Sequence, residues 1–249
     1  MNKVIYIALL ALCLPAFAWS QVSIGPTQRV SWTYNIEGVD KSDIETVTTR
    51  VGDILYQRLR LSDSKDFSLS SGPGPKITIL WKRYQSTYSG LKRLISAPIL
   101  MGLHASPEDT VADEKLELEA RRRAGDYIFP CQPTSRSSTK VTYRLAEKSP
   151  LFGTPHMKWV EIEHAEGKAH IIIHLTPLGM RRLKDHWAKW IDKKLVVVMA
   201  RRIHGLPLQF GPIIDGKLKS KAIDGDVALI MKRLMLAGCN LPRLTFQQP

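Results

Sequence analysis

Four histidines, His164, His170, His174 and His186, crowd one stretch in the last third of this 249-residue chain. Such a cluster raises metal chemistry first. His170 and His174 flank Ile172 on a segment that alternates like a strand, so they share a face. Imidazoles at that spacing lie roughly 13 Å apart, whereas zinc bonds its ligands at about 2 Å. No cysteine or carboxylate cluster supplies a third ligand, and neither a metal nor another cofactor is expected. Asp185-His186 is a dyad by sequence only, because neighbours on a helix diverge. There is no Gly-x-Ser-x-Gly elbow and no Gly-rich loop between a strand and a helix. Glu161 and Glu163 alternate as the wet face of a strand does, and Cys131 sits in the connector "FPCQP". The chain therefore reads as non-enzymatic. A hydrolase of unknown type, using His186 or His204, is the reading that competes from the enzyme side.

The elements that would position these residues follow from periodicity. "RVSWTYNI" alternates as a half-buried strand, and Ile44, Val47, Val51, Ile54 and Leu55 recur at helical spacing up to about Leu61. "FSLSSGPGPKITILW" reads as a hairpin, "SGLKRLIS" as a short helix and "PILMGLHA" as a further strand. That order, β-α-β-β-α-β, suggests one compact sheet with helices on one face. Residues 106–126 are densely charged and read as a solvated helix or loop, and residues 131–140 as a Pro/Ser-rich connector. "WVEIEHAEGKAHIIIHL" forms two strands about Glu166-Gly167. Thr176 caps a helix whose inner stripe is Met180, Leu183, Trp187, Trp190 and Ile191, and the two tryptophans read as core. "KLVVVMA" is a buried strand, "RIHGLPL" holds a Gly-Pro turn, and Asp224 or Asp226 caps a last helix with Val227, Ile230, Met231 and Leu234 inward. Gly238 stops that helix, and "LPRLTF" ends the chain as a strand.

Charge and the first twenty residues bound the setting. Lys3 and the apolar run "VIYIALLALCLPAFA" read as a signal peptide cleaved after Ala18 or after Ser20, so the protein is expected in the periplasm. Nothing later reads as a membrane span, although peripheral membrane contact is compatible with the charge. The net charge of +13 favours anionic partners, and export argues against nucleic acid. Partner-binding candidates are the basic residues Lys217, Lys219 and Lys221 in a presumed loop, and Arg181, Arg182 and Lys184 on the outer face of a helix. Cys131 and Cys239 remain after the leader, bonded or free; a bridge between them would restrict the unfolded chain by about 4–5 kcal/mol.

Several segments resemble the first periplasmic domain of SecD, the membrane subunit that assists the bacterial Sec translocase. "ALIMKRLMLAGCNLPRLTF" is similar to that family's closing helix, Gly stop, Leu-Pro and return strand. "HAEGKAHIIIHLTPLGMRRLKDHW", with Leu175, Thr176 and Gly179, is similar to its strand-Leu-Thr-x-x-Gly-helix segment, and "KLVVVMARRIHGLP" to the strand that follows. "TTRVGDILYQRL", "KITILW" and "LKRLISAPILMGLHA" are similar to its first half. The resemblance implies an α+β fold: a ferredoxin-like base built from both chain ends, with an inserted α/β head. The implied division is signal peptide 1–20, base 21–130 including the charged segment 106–126, connector 131–140, head 141–238 and return strand 239–249. It places Cys131 and Cys239 at the two crossings between base and head, where a disulfide is expected. It also implies a partner that is a polypeptide or another envelope protein, with the Sec translocase among the candidates, in protein export or assembly. The transmembrane helices that SecD uses to couple the proton gradient have no counterpart in the sequence. A basic adaptor for anionic lipid or cell-wall polymers is the alternative from a different class.

Overall fold

A computed structural model describes residues 30–61, 66–82, 92, 95, 99–107, 111–131, 141–184 and 186–247. The expected leader with its candidate cleavage positions, the connector after Cys131 and most of the "SGLKRLIS" segment lie outside the described residues. Lys92 and Ile95 of that segment are helical.

The fold is α+β. Strand β1 (Val30–Ile36) buries Trp32, Tyr34 and Ile36 on one face and leaves the alternate residues half exposed. Helix α1 (Ile44–Leu61) lays Val51, Leu55 and Leu59 across that face, as its spacing requires. The Gly-Pro turn joins β2 (Phe67–Ser71) to β3 (Lys76–Trp81), and Trp81 meets Trp32 and Phe67 with ring centroids 5.3 and 5.7 Å apart. The last strand, β14 (Leu244–Gln247), returns to pair antiparallel with β1, Ile36 opposite Leu244 and Thr33 opposite Gln247. The four-stranded sheet therefore runs β14-β1-β3-β2.

The strand "PILMGLHA" does not join this sheet. As β4 (Met101–Ala105) it pairs with β11 (Lys194–Met199) in a second, seven-stranded sheet. The physical reason is burial. All five β4 residues are buried, so the strand needs cover on both faces, and the four-stranded sheet leaves one face wet. One face of β4 supplies Met101, Leu103 and Ala105 to the large core; on the other, His104 stacks edge-on against Phe129, 5.5 Å away.

That second cover is the charged segment itself. Residues read as a solvated stretch fold into β5 (Val111–Ala112) and α2 (Lys115–Glu119), and then β6 (Asp126–Pro130) pairs with β7 (Tyr143–Glu147). The resulting sheet, β5-β7-β6, has a small core of Ala112, Leu118, Ile128 and Leu145. Its Phe129 and Ala146 close over Val196, Val198 and Ile203.

The seven-stranded sheet runs β8-β4-β11-β12-β13-β10-β9. Here β8 is Phe152–Gly153, β9 Met157–Ala165, β10 Lys168–Leu175, β12 Arg202–Ile214 and β13 Lys217–Ser220. The β9–β10 hairpin turns at Glu166 and Gly167, both at positive φ. The expected Gly-Pro turn in "RIHGLPL" is instead an irregularity within β12: Gly205 takes φ +70, and a Cβ there would lie 2.1 Å from the Met231 sulfur. Helix α3 (Pro177–Lys184) ends earlier than its apolar stripe suggested, and Trp187 begins a separate 3-10 turn, buried with its Nε1 donating to Gly211 O at 2.8 Å. Helix α4 (Gly225–Ala237) starts at Asp224, whose Oδ1 accepts from the Asp226 and Val227 amides. It buries Ala228, Met231 and Met235, while Ile230, expected inward, is 53% exposed.

The two cysteines are free thiols, which corrects the expected disulfide. They belong to different cores. Cys131 packs beside Phe129 and Ile203, whereas Cys239 lies in the large core with its Sγ donating to Met235 O. Burial raises both thiol pKa values, that of Cys239 to about 12, which favours the thiol over the nucleophilic thiolate.

Candidate functional site

A concavity opens at the β8 end of the large sheet, and the elements around it explain its shape. β8 is only two residues long and runs close to β4: a Cβ on Gly153 would sit 2.3 Å from Met101 O. The chain then turns through Thr154–His156. Thr154 Oγ1 donates to Ile99 O at 2.8 Å and accepts from Met101 N at 3.0 Å, and Gly153 N donates to His156 Nδ1 at 3.0 Å. Thr176 caps α3 by accepting from Gly179 N at 3.1 Å and donates its own hydroxyl to Pro155 O at 2.9 Å. Gly179 lets the helix close onto the turn, since a Cβ there would meet His156 O at 2.4 Å. Helix α3 is thereby held so that Leu178, Arg181 and Arg182 form one wall.

The opposite wall is the tip of the β11–β12 hairpin. Ala200 and Arg201 both adopt positive φ, 50° and 61°, the geometry of a two-residue turn whose twist matches its strands. The groove between these walls has a volume of about 1080 Å³. Phe152, Met101, Phe129 and Val198 lie buried along it, and Leu100 and Leu178 stand at its mouth, 78% and 46% exposed.

All of the groove's formal charge has one sign. Lys148, Arg181, Arg182 and Arg201 line it, and no aspartate or glutamate does among the described residues. The two imidazoles in the lining are held neutral. His104 Nδ1 lies 2.7 Å from Glu147 O and so carries the proton, and burial lowers its pKa. Burial, with Arg182 nearby, lowers that of His156. The arrangement offers apolar contact and fixed positive charge.

Of the basic residues singled out in the sequence, Arg181 and Arg182 lie in the groove, whereas Lys184 is exposed on the same helix outside it. Lys217 and Lys219 are not in a loop. They project from β13, between β12 and β10, with Lys219 paired with Glu163 at 2.6 Å, and the neighbouring Lys221 pairs with Asp192 at 3.2 Å. His174 meets Glu161 at 2.8 Å and His170 Nδ1 donates to Ser220 O, so these histidines serve the sheet surface. Sequence reasoning missed Lys148, Arg201, Leu100 and Gly153, which only the β4–β8–β11 pairing brings together. The sole local signal was Ala-Arg between two strands, a hairpin turn without its usual Asn-Gly.

In this α+β body a four-stranded sheet holds the first and last strands of the described residues, and a larger sheet ends in a basic apolar groove. No family model matches the chain, and no curated protein does. Solved structures of SecDF are similar to it. One, SecDF in a super-membrane-facing form, shares 13% identity over 88% of this chain, at a TM-score of 0.37. A second, described as a membrane component that enhances protein export, shares 12% over 88%, at 0.36. A third, a translocon-associated membrane protein from Thermus thermophilus, shares 14% over 88%, at 0.47. The chain spans 29% and 30% of the first and third of these and 99% of the second. None of the described helices is long and apolar enough to cross a membrane.

Proposed function

We propose that this is an exported SecD-like envelope protein that binds an extended polypeptide, or the exposed segment of another envelope protein, during export or assembly. Its base is ferredoxin-like: β1, α1, β2 and β3 with β14 returning, in the antiparallel order β14-β1-β3-β2. The remaining elements form the head, so β4, β5 and β6 belong to it. The apolar leader directs the chain to the periplasm. The SecD-like segments of the sequence and the return of β14 to β1 support this lineage.

The observation that carries the binding role is the groove beside β8. Leu100 and Leu178 at its mouth are still 78% and 46% exposed, and covering that remainder would contribute about 1–2 kcal/mol each. The groove lies beside the edge strand β8, and an apolar floor with polar rims suits a chain in extended form. The test compares one small protein in its native form with a permanently unfolded variant of it, by fluorescence anisotropy. The unfolded form binds, the native form does not, and Leu100→Asp with Leu178→Asp abolishes binding. Equal binding of both forms, or of neither, would overturn the reading.

A further inference from the structure

We infer that the groove selects anionic segments: extended chain in which acidic side chains alternate with apolar ones. The inference rests on the polypeptide reading above and adds the charge of its ligand. Lys148 comes from the β7–β8 loop, Arg181 and Arg182 from α3, and Arg201 from the hairpin tip, so three separate parts of the chain place positive charge around one apolar floor. All four are exposed, and none forms an ion pair with a carboxylate among the described residues. That contrasts with Lys219 on β13 and the adjoining Lys221, which are neutralised by Glu163 and Asp192. The groove's charge is thus unspent, and a ligand carrying carboxylates would spend it.

Alternation follows from strand geometry. In an extended chain, successive side chains point to opposite sides. A segment lying along the groove can send one set toward Phe152, Met101 and Val198 and the other toward the guanidinium rim. Guanidinium groups pair with carboxylates through two parallel hydrogen bonds, which a backbone carbonyl cannot match. A lysine-bearing segment meets like charge on both walls and is rejected.

Little main chain is left over in the wall for recognition by strand addition alone. Gly153 N is taken by His156, Leu151 N by Leu103 O and Met101 N by Thr154 Oγ1. Discrimination therefore falls to side chains. This favours a charged polypeptide segment over one chosen by backbone pairing.

Three labelled peptides of about eight residues, with the same alternating leucines, test this. Their intervening residues are Asp, Asn or Lys, and affinity is read by anisotropy at low and high salt. The Asp peptide is expected to bind about tenfold or more tighter than the Asn peptide, given four partly solvated contacts. Its advantage shrinks as salt shortens the Debye length below about 8 Å, while the Asn peptide is unaffected. Arg181→Glu with Arg182→Glu leaves two positive groups, Lys148 and Arg201, against two negative ones and abolishes the Asp peptide's advantage. Lys168→Glu with Lys217→Glu, the same change in net charge on β10 and β13 outside the groove lining, leaves the order intact. Both pairs are exposed, and an unchanged melting temperature shows that the fold survives.

Equal binding of all three peptides overturns the charge preference and leaves the polypeptide reading standing. Binding of none of them overturns both. Capture of anionic phospholipid vesicles with no peptide binding assigns the groove to a lipid surface, and self-association abolished by the Arg181/Arg182 variant assigns it to a second copy. Either result overturns the inference. An order that shifts equally with the Lys168/Lys217 pair reduces the effect to overall charge and overturns it as well.

Discussion

Arg58 shows how much one buried charge can hold. It lies on α1 with 1% exposure, yet its guanidinium reaches across to the end of α4, donating to Ala237 O at 3.0 Å and Cys239 O at 2.7 Å. Those carbonyls end a helix and lack intrahelical partners, and the helix dipole places partial negative charge there. Burial lowers the Arg58 pKa to about 10, which still leaves it charged at neutral pH. Arg58→Ala would leave the carbonyls buried and unpaired, so a loss of about 3 kcal/mol or more is expected in urea denaturation. Arg58→Lys keeps the charge but not the fork and is expected to recover only part of it. Stability unchanged in both variants would show that the α1–α4 junction is held by packing alone. At the groove, Gly153→Ala places a methyl 2.3 Å from Met101 O, and an overpacking cost of about 1–3 kcal/mol is expected. A wild-type melting temperature would mean that β8 can draw away from β4 without penalty.

Elements differ in how visibly the sequence announces them. β1, α1, the β9–β10 hairpin and α4 could be read directly, because the face they bury has the period of the element itself. The position of β14 was also legible, from the resemblance of the closing segment. β4 was not. Its local pattern says only that it is apolar, and its partners β8 and β11 are distant in sequence, so nothing near it reveals which sheet it joins. The charged segment misled for a related reason: the small core under it needs only Ala112 and Leu118 from a stretch otherwise polar. The groove was half legible. Arg181 and Arg182 stood out as basic, but the four segments that complete the site meet only through long-range pairing. The return of β14 has a consequence at this scale. Removing residues 243–249 strips Leu244 and Phe246 from the sheet, leaving Tyr34 without the ring 5.4 Å away and β1 as a bare edge. Hydrogen exchange at the amides of β1 should then accelerate strongly, while those of β10 remain protected. Equal acceleration in both would show that the two sheets unfold as one unit.

Over the whole molecule, acid should act through histidines that folding keeps neutral. His104, His156 and His204 come from three different elements, and burial lowers the pKa of each below its ordinary 6.5. The unfolded chain therefore takes up protons below about pH 6.5 that the folded chain resists, and the equilibrium shifts toward unfolding. Stability from these groups is complete above that pH and is lost as the pH falls through the folded values. Glu147 and Asp53 act in the opposite sense, since burial raises their pKa values and the folded form takes the proton first. Their ordinary values, 4.5 and 3.8, confine that compensation to the more acid part of the range. The excess of 36 basic over 23 acidic residues adds repulsion as carboxylates are neutralised, so acidification lowers stability by a second route. Urea midpoints at pH 8, 7, 6 and 5.5 separate the two. The wild type should hold its midpoint down to about pH 6.5 and lose it below. His104→Asn, which can still donate to Glu147 O, should start lower and fall less steeply, because one of the resisting groups is gone. Identical slopes in the two proteins would assign the acid sensitivity to general charge rather than to buried imidazole.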